Sequence, residues 1–161
     1  KVQVIVWKKE TDGRKFLLLE RVVATGGYWQ PVTGGVEKDE EIEAAARREL
    51  QEETGIVVWM SWRSGVHEFS FENPPSHRRP GLVRESVFAV RVAPETPVVL
   101  SSEHTAFAWY SLADALALIQ FENQRTALQK LANALGSQQY NMDFLSVSRK
   151  STREWRPHQW N

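Results

Sequence analysis

The feature that most constrains this chain is a charged stretch from Gly34 to Ile56, which reads GGVEKDEEIEAAARRELQEETGI. Three consecutive alanines and several other strong helix formers predict a helix inside it. Asp39 suits the N-cap position, and Gly55 suits the left-handed position that follows a helix end. The chain must therefore fold so that one side of a short, highly charged helix is buried.

The predicted helix carries a cluster of carboxylates beside its apolar stripe. The apolar positions recur four residues apart, at Ile42, Ala46 and Leu50. Glu49, Glu52 and Glu53 are neighbours on the helix surface, where like charges cost roughly a few tenths of a kcal/mol per pair. An acidic helix face that is merely solvated is the ordinary interpretation. Clustered oxygen ligands on a rigid element also suit a divalent cation such as Mg²⁺ or Mn²⁺.

The spacing of the fixed residues in this stretch resembles the Nudix signature at every defined position. It reads Gly34-x5-Glu40-x7-Arg48-Glu49-Leu50-x-Glu52-Glu53-x-Gly55-Ile56. The resemblance implies a hydrolase of a nucleoside diphosphate linked to another group. It also implies a loop-helix-loop that holds a divalent metal, Mg²⁺ or alternatively Mn²⁺, against a pyrophosphate.

The resemblance also implies a role for each residue of the signature. Glu49, Glu52 and Glu53 are expected to be metal ligands, and the carbonyl group of Thr33 a further one. A metal there would neutralise phosphate charge and lower the pKa of bound water. A carboxylate would then accept a proton from that water.

Other residues of the signature are expected to shape this site. Arg48 and Glu40 are expected to form an internal ion pair that joins the helix to its leading loop, so Arg48 supports catalysis. Gly34 is expected to form the turn that brings the backbone close to the metal. Gly55 ends the helix.

A fourth carboxylate lies outside the signature. Glu103 follows a serine pair and precedes a predicted strand. Nudix sites often take one more carboxylate from such a loop, so Glu103 is expected to act as a metal ligand or as the general base. The choice of base among Glu52, Glu53 and Glu103 stays open. His104 is expected to be structural and to make an ordinary hydrogen bond.

Four residues are interpreted as substrate-binding. Arg21 follows a predicted strand, and His77 and Arg78 belong to the densest basic segment of the chain, where arginine suits phosphate oxygens. Trp29 suits either core packing, which is favoured, or stacking on a flat heterocycle. An ordinary strand-end arginine and a solvated loop are the alternatives for the basic residues.

A wider pattern is similar to that of dihydroneopterin triphosphate pyrophosphohydrolases. It comprises Trp29-Gln30-x-Val32-Thr33-Gly34, His77-Arg78, Pro80-Gly81, Arg84-x-x-x-Phe88, Ser102-Glu103-His104-x-Ala106-x-x-Trp109 and Asn123-x-x-x-Ala127. This similarity implies a pterin triphosphate as substrate and pyrophosphate as product. The alternatives are 8-oxo-dGTP, a dinucleoside polyphosphate, a nucleotide sugar, or a non-catalytic nucleotide-binding module.

The remaining elements indicate an α/β (α+β) protein. Strands are predicted at 2–7, 16–19, 56–63, 66–71, 82–92 and 105–110, and helices from Ser111 to about 119 and over 123–135, with Gly136 as the helix end. The resemblance implies the Nudix fold, an α/β/α sandwich around a mixed β-sheet. Residues 1–136 are predicted to form the Nudix domain, and 137–161 a C-terminal extension of unknown role.

The amino-acid composition limits the classes of molecule that this protein is expected to bind. Lys plus Arg and Asp plus Glu each number 20, so no broad basic surface for a nucleic acid polymer or a membrane is expected. The absence of cysteine excludes disulfides, thiolate metal sites and a cysteine nucleophile. The absence of cysteine also fits a cytoplasmic protein, and the resemblance implies that its partner is a small nucleotide or pterin triphosphate. Its oligomeric state is open, and a homodimer is compatible with the sequence.

Overall fold

The computed structural model describes the backbone of residues 1–151 and the side chains of residues 1–138. Its strands are β1 (Val2–Glu10), β2 (Gly13–Arg21), β3 (Trp29–Gln30), β4 (Val32–Gly34), β5 (Ser61–Asn73), β6 (Gly81–Arg91) and β7 (His104–Tyr110). Its helices are α1 (Ile42–Thr54), α2 (Leu112–Leu118) and α3 (Glu122–Ser151), and a short 3₁₀ turn covers Val23–Thr25.

The strands form one mixed sheet. The main order is β3-β2-β1-β6-β5, with β4 also paired to β1 and β7 to β2. Strands β1 and β6 run parallel, whereas the other pairs are antiparallel. The expected mixed sheet is therefore confirmed.

Helices cover both faces of this sheet. Side chains alternate between the faces along each strand, so Val4 and Val6 point to one side and Ile5 and Trp7 to the other. The first side packs against Ala45, Ala46 and Leu50 of α1. The second packs against residues of α2 and α3, namely Ala115, Ala127, Leu128, Leu131 and Leu135. The α/β/α sandwich is confirmed.

The start of α1 differs from the prediction, whereas its end agrees with it. The N-cap is Glu41 rather than Asp39, and Asp39 adopts a left-handed φ of 61° in the preceding loop. The loop is longer because Glu40 accepts a hydrogen bond from the Glu37 backbone N–H at 2.9 Å instead of entering the helix. Gly55 ends α1 with φ 70°, as predicted.

The two strands predicted at 56–63 and 66–71 are one strand, and its start was wrong. Residues 56–60 lie outside any strand, and β5 begins at Ser61 and continues to Asn73. The pairing of β5 with β6 is irregular between Arg63 and His67. Gly65 lies there with φ 66°, so a glycine absorbs the irregularity without ending the strand.

The last helix also extends beyond its predicted end. Helix α3 passes through Gly136 and continues to Ser151. A helical glycine costs about 1 kcal/mol relative to alanine but does not stop a helix unless it turns left-handed. The division into a domain of residues 1–136 and an extension of residues 137–161 stays a prediction, and residues 152–161 of that extension lie outside the described part.

The short helix α2 begins as predicted. The Asp114 backbone N–H donates to the Ser111 hydroxyl oxygen at 3.2 Å. Among the described residues, no helix is long and apolar enough to cross a membrane.

Candidate active site

Gly34 gives α1 room to approach the sheet. It ends β4 and lies opposite Val2 of β1. A Cβ atom at this position would overlap the carboxyl group of Glu49. The glycine therefore seats the Glu49 side chain directly against the backbone, and the expected approach of this backbone to a metal stays a prediction.

Arg48 joins α1 to the loop before it. Its guanidinium group donates to both carboxylate oxygens of Glu40, at 2.8 and 3.0 Å, and to the Gly35 carbonyl oxygen at 2.8 Å. The predicted ion pair is thus present and bidentate. These hydrogen bonds, those from Arg48 first, lower the pKa of Glu40 to about 2. The loop that begins at Gly34 is therefore fixed to the helix.

Glu53 is a buried carboxylate whose second oxygen is unpaired. The residue is 4% exposed, and Oε2 has no hydrogen-bond partner among the described residues. Burial, and then the nearby charges of Glu49 and Glu103, raise the pKa of Glu53 to about 8. Such a group is expensive to ionise unless a cation lies beside it.

Glu49 and Glu103 complete a region of negative charge around Glu53. Burial raises the pKa of Glu49, although the hydrogen bond from Arg48 opposes this, and Glu52 and Glu103 raise it further. The Glu103 carboxylate is 3.8 Å from Arg21. Its backbone carbonyl accepts the Val22 N–H at 3.1 Å, so the fourth carboxylate is tied to the end of β2 and faces this site.

The four carboxylates do not converge on a single position that a metal could occupy. Within the described residues, no three acidic or histidine side chains converge on one point. Arg48 Nη1 contacts Glu49 at 2.9 Å and Glu52 at 3.1 Å, so these two carboxylates pair with the guanidinium. Glu52 is 57% exposed, so solvent rather than packing surrounds most of its side chain.

The residues nevertheless fit a divalent cation. The unpaired oxygen of Glu53, the repulsion among neighbouring carboxylates and the glycine that admits Glu49 all create a place for positive charge. The donors are all oxygen atoms, which suits a hard cation. The Thr33 carbonyl, predicted as a further ligand, belongs to the strand β4 that ends at Gly34.

An open cavity of about 790 Å³ adjoins the carboxylates and carries positive charge. Arg48 lines it, and Glu49 is the one of the four carboxylates among its lining residues. The predicted substrate residues Arg21, His77 and Arg78 line it as well. Arg79, the third residue of the same basic segment, lines it too, and so do Lys1 and Arg84, which were not predicted as substrate contacts. We call this cavity the catalytic cleft.

Trp29 lies outside the lining of the catalytic cleft. Its ring meets Tyr110 edge to face, with centroids 5.6 Å apart, and packs on the face of the sheet that α2 and α3 cover. Packing is therefore the contact that the structure gives it, and a role in substrate binding stays a prediction.

His104 does not make the hydrogen bond that was expected. It is buried, and neither ring nitrogen has a partner among the described residues. Burial first, and then the charge of Arg21, lower the pKa of His104. The expectation is wrong because the fold encloses the ring where no described residue lies within hydrogen-bond distance of either nitrogen.

Two buried polar residues near the catalytic cleft were missed by sequence reasoning. Gln3 is fully buried in β1, and neither atom of its amide is hydrogen-bonded; Glu85 of β6 is buried with Oε1 unpaired. Lys1 is 3.6 Å from the other oxygen of Glu85. In the sequence, each of these residues is visible only as a polar position within an otherwise apolar strand.

Comparison with known proteins gives a consistent result. The family model of the NUDIX domain matches residues 1–131. An octanoyltransferase of Myxococcus xanthus is 37% identical over 130 residues, which is 80% of this chain but only 35% of that protein. The chain thus spans about a third of that relative.

Two further relatives match over most of their own length. The dihydroneopterin triphosphate diphosphatase of Escherichia coli is 31% identical over 80% of this chain and 90% of its own. The asymmetrical bis(5'-nucleosyl)-tetraphosphatase of Rattus norvegicus is 32% identical over 78% and 84%. A solved structure of a candidate NUDIX hydrolase from Listeria monocytogenes has a TM-score of 0.74 and 31% identity, covering 85% of this chain and 94% of that one.

Proposed function

This chain belongs to the NUDIX domain family, and we propose that it is a Mg²⁺-dependent pyrophosphohydrolase of a nucleoside triphosphate-like compound. Our preferred substrate is dihydroneopterin triphosphate, with release of pyrophosphate. The observation that carries the proposal is Glu53, a buried carboxylate with an unpaired oxygen among like charges. Nudix hydrolases generally use divalent metals, and Mn²⁺ would satisfy the same oxygen ligands.

The metal would be held by Glu49, Glu52 and Glu53, with the Thr33 carbonyl as a further ligand and Glu103 as an alternative one. When bound, it would neutralise charge on the phosphates and make water a better nucleophile. Glu53 would then ionise readily, because a cation beside it offsets its desolvation. Glu52 is able to turn from Arg48 toward the metal because its side chain is largely exposed.

The basic side chains of the catalytic cleft would bind the phosphate chain. Arg21, Arg78 and Arg79 line the cleft, and guanidinium groups bind phosphate oxygens through paired hydrogen bonds. Glu103 is our preferred general base. Its carboxylate is 62% exposed and 3.8 Å from Arg21, which lines the cleft, whereas Glu53 is enclosed.

The choice of a pterin is supported by the buried polar groups beside the cleft. Lys1 and Phe71 line the cleft, and the Lys1 ammonium is 5.8 Å from the centroid of the Phe71 ring. Glu85 lies directly beneath Lys1 and opposite Phe69 in the sheet. Because the Glu85 side chain is 2% exposed, a heterocycle over Phe71 would meet it by displacing Lys1.

The chemistry of this carboxylate favours one kind of heterocycle. An ionised carboxylate only accepts hydrogen bonds, and the 2-amino-4-oxopyrimidine edge of a pterin presents two adjacent N–H donors. Burial raises the pKa of Glu85, and two such donors would restore its ionised form. The edge of adenine presents one donor and one acceptor, which is a poorer match.

Other substrates compete with this choice. The base of 8-oxo-dGTP has the same amino-oxo edge, and a dinucleoside polyphosphate or a nucleotide sugar offers the same pyrophosphate. The two relatives with different substrates in their names have nearly equal identity, 31% and 32%, so identity does not separate them. A non-catalytic binding module is disfavoured because every acidic position of the signature is present.

The test is a product analysis with dihydroneopterin triphosphate, 8-oxo-dGTP, dATP, diadenosine tetraphosphate and ADP-ribose, each with Mg²⁺ and with EDTA. We expect metal-dependent release of pyrophosphate, fastest from the pterin, and its loss in Glu53→Gln. Faster cleavage of another compound would refute the pterin assignment while keeping the site. Tight binding of a compound without turnover would favour the binding module.

A further inference from the structure

A second pocket lies between α3 and the end of the sheet that is far from the carboxylates. We propose that it binds the phosphate group of a small molecule. Its volume is about 330 Å³, near the lower end of small-molecule sites. Four basic residues line it: Lys9, Arg14, Arg63 and Arg91. No carboxylate is among the described residues that line it. We call it the basic pocket.

The register of the sheet brings these four charges to one face. Lys9 lies directly opposite Arg14 on the neighbouring strand. Arg91 lies opposite Trp7, and Arg63 lies opposite Ala89. Like charges in directly opposed positions destabilise a sheet. An anion in the basic pocket would turn this repulsion into attraction.

Two of the guanidinium groups are already held in place. Arg14 and Arg91 both lie over the Trp7 ring, 5.9 and 5.4 Å from its centroid. Arg14 also donates from Nη2 to the Leu135 carbonyl oxygen of α3 at 3.0 Å. Stacking on an indole fixes the plane of a guanidinium and leaves less side-chain entropy to lose on binding.

Each of these groups also retains an unused donor. The Nε atoms of Arg14 and Arg91 are buried and have no hydrogen-bond partner among the described residues. Because a guanidinium has no acceptor atoms, its buried donors require an acceptor from a ligand or from water. Phosphate oxygens meet this requirement and also neutralise the charge.

The basic pocket is distinct from the catalytic cleft. The two cavities share no lining residue. Val2 of β1 pairs with Gly34 at the carboxylate site, whereas Lys9 lies seven residues further along the same strand, a separation of about 23 Å at roughly 3.3 Å per residue. A ligand here would therefore occupy a second site rather than extend the substrate.

Binding should be measured by isothermal titration calorimetry on the full chain at constant ionic strength. The probes are inorganic phosphate, pyrophosphate and AMP. EDTA keeps the carboxylate site free of metal, so that anions are disfavoured there. Arg91→Gln and Arg14→Gln remove the stacked guanidinium groups, and Arg78→Gln is the matched control in the catalytic cleft.

We expect the wild type to bind a probe, and Arg91→Gln and Arg14→Gln to bind it at least about tenfold more weakly, since hydrogen bonds to charged groups are strong. Arg78→Gln should leave the affinity of the basic pocket at its wild-type value and weaken only binding in the catalytic cleft. Tighter binding of AMP than of phosphate would identify a phosphate on a larger molecule as the ligand, and the reverse would identify the free ion.

Two results would overturn the proposal: no binding of any probe by the wild type, or binding that Arg78→Gln weakens and Arg91→Gln does not. Circular dichroism melting establishes whether each variant folds. If Arg91→Gln does not fold, Arg63→Gln replaces it, because Arg63 lines the same pocket without stacking on Trp7. If Arg63→Gln and Arg14→Gln both bind the probe with unchanged affinity, that result also overturns the proposal.

Discussion

Replacing Glu53 by Gln should make the metal-free protein more stable at alkaline pH while abolishing its hydrolytic activity. Burial raises the pKa of Glu53 from 4.5 to about 8, so the folded state holds this proton more tightly than the unfolded state does. At a pH between these two pKa values, the unfolded chain binds fewer protons than the folded protein does. The free energy of unfolding therefore falls as pH rises. Glutamine does not ionise and escapes this loss.

The magnitude follows from the same shift. A change from 4.5 to about 8, at about 1.36 kcal/mol per pH unit, sets an upper bound of about 5 kcal/mol above pH 8. The new amide loses roughly 1 kcal/mol if its N–H group finds no acceptor. We therefore expect Glu53→Gln to be more stable than the wild type by a few kcal/mol at pH 8.5 and nearly equal to it at pH 4.5.

The assay is urea denaturation of both proteins in EDTA at several pH values from 4.5 to 9, repeated with Mg²⁺. Glu52→Gln is the matched control on the same helix, because Glu52 is 57% exposed and should show little change in stability. Mg²⁺ should raise the free energy of unfolding of the wild type. It should raise that of each variant by a smaller amount. If Glu53→Gln is less stable than the wild type at pH 8.5 in EDTA, the claim that a buried, unpaired charge on Glu53 destabilises the metal-free protein is refuted.

Three further predictions concern the signature and the heterocycle. Gly34→Ala should cost roughly 1–3 kcal/mol by overpacking against Glu49 and should remove metal-dependent turnover; thermal melts and product assays test both, and a fully active variant would contradict the close approach. Arg48→Lys should raise the pKa of Glu40 from about 2 toward its ordinary value, because lysine lacks the paired donors, and carboxyl-resolved NMR titration measures this; an unchanged pKa would show that Arg48 is not the cause. Glu85→Gln should lower kcat/KM at least about tenfold for a pterin triphosphate and leave that for dATP unchanged; equal losses on both substrates would count against heterocycle recognition.

Residues close together in the sequence were predicted well. The helix, its carboxylates and the left-handed Gly55 all lie between Gly34 and Ile56, where local spacing sets geometry, and the resemblance supplied the Arg48–Glu40 pair. Helical periodicity alone places Glu49, Glu52 and Glu53 side by side. The metal that these groups await is a proposal, but their clustering follows from the sequence.

Element boundaries were less predictable, because packing overrides local preference. Gly136 looks like a helix end, yet α3 continues past it, since the helix already packs on the sheet through Leu128, Leu131 and Leu135. The apolar run at 56–60 looks like a strand, yet Val57 and Val58 are exposed in a connection between α1 and β5. Neither local signal carries information about what the folded chain places beside it.

The sequence by itself determined the family signature, the α/β layering and the carboxylate cluster, because each depends on neighbours within a few turns or strands. The tertiary structure alone decided that Lys9, Arg14, Arg63 and Arg91 share one pocket and that Gln3 and Glu85 are buried beside the cleft. The physical reason is strand register. Pairing between distant segments decides which side chains face each other, and that pairing is fixed only when the whole sheet forms.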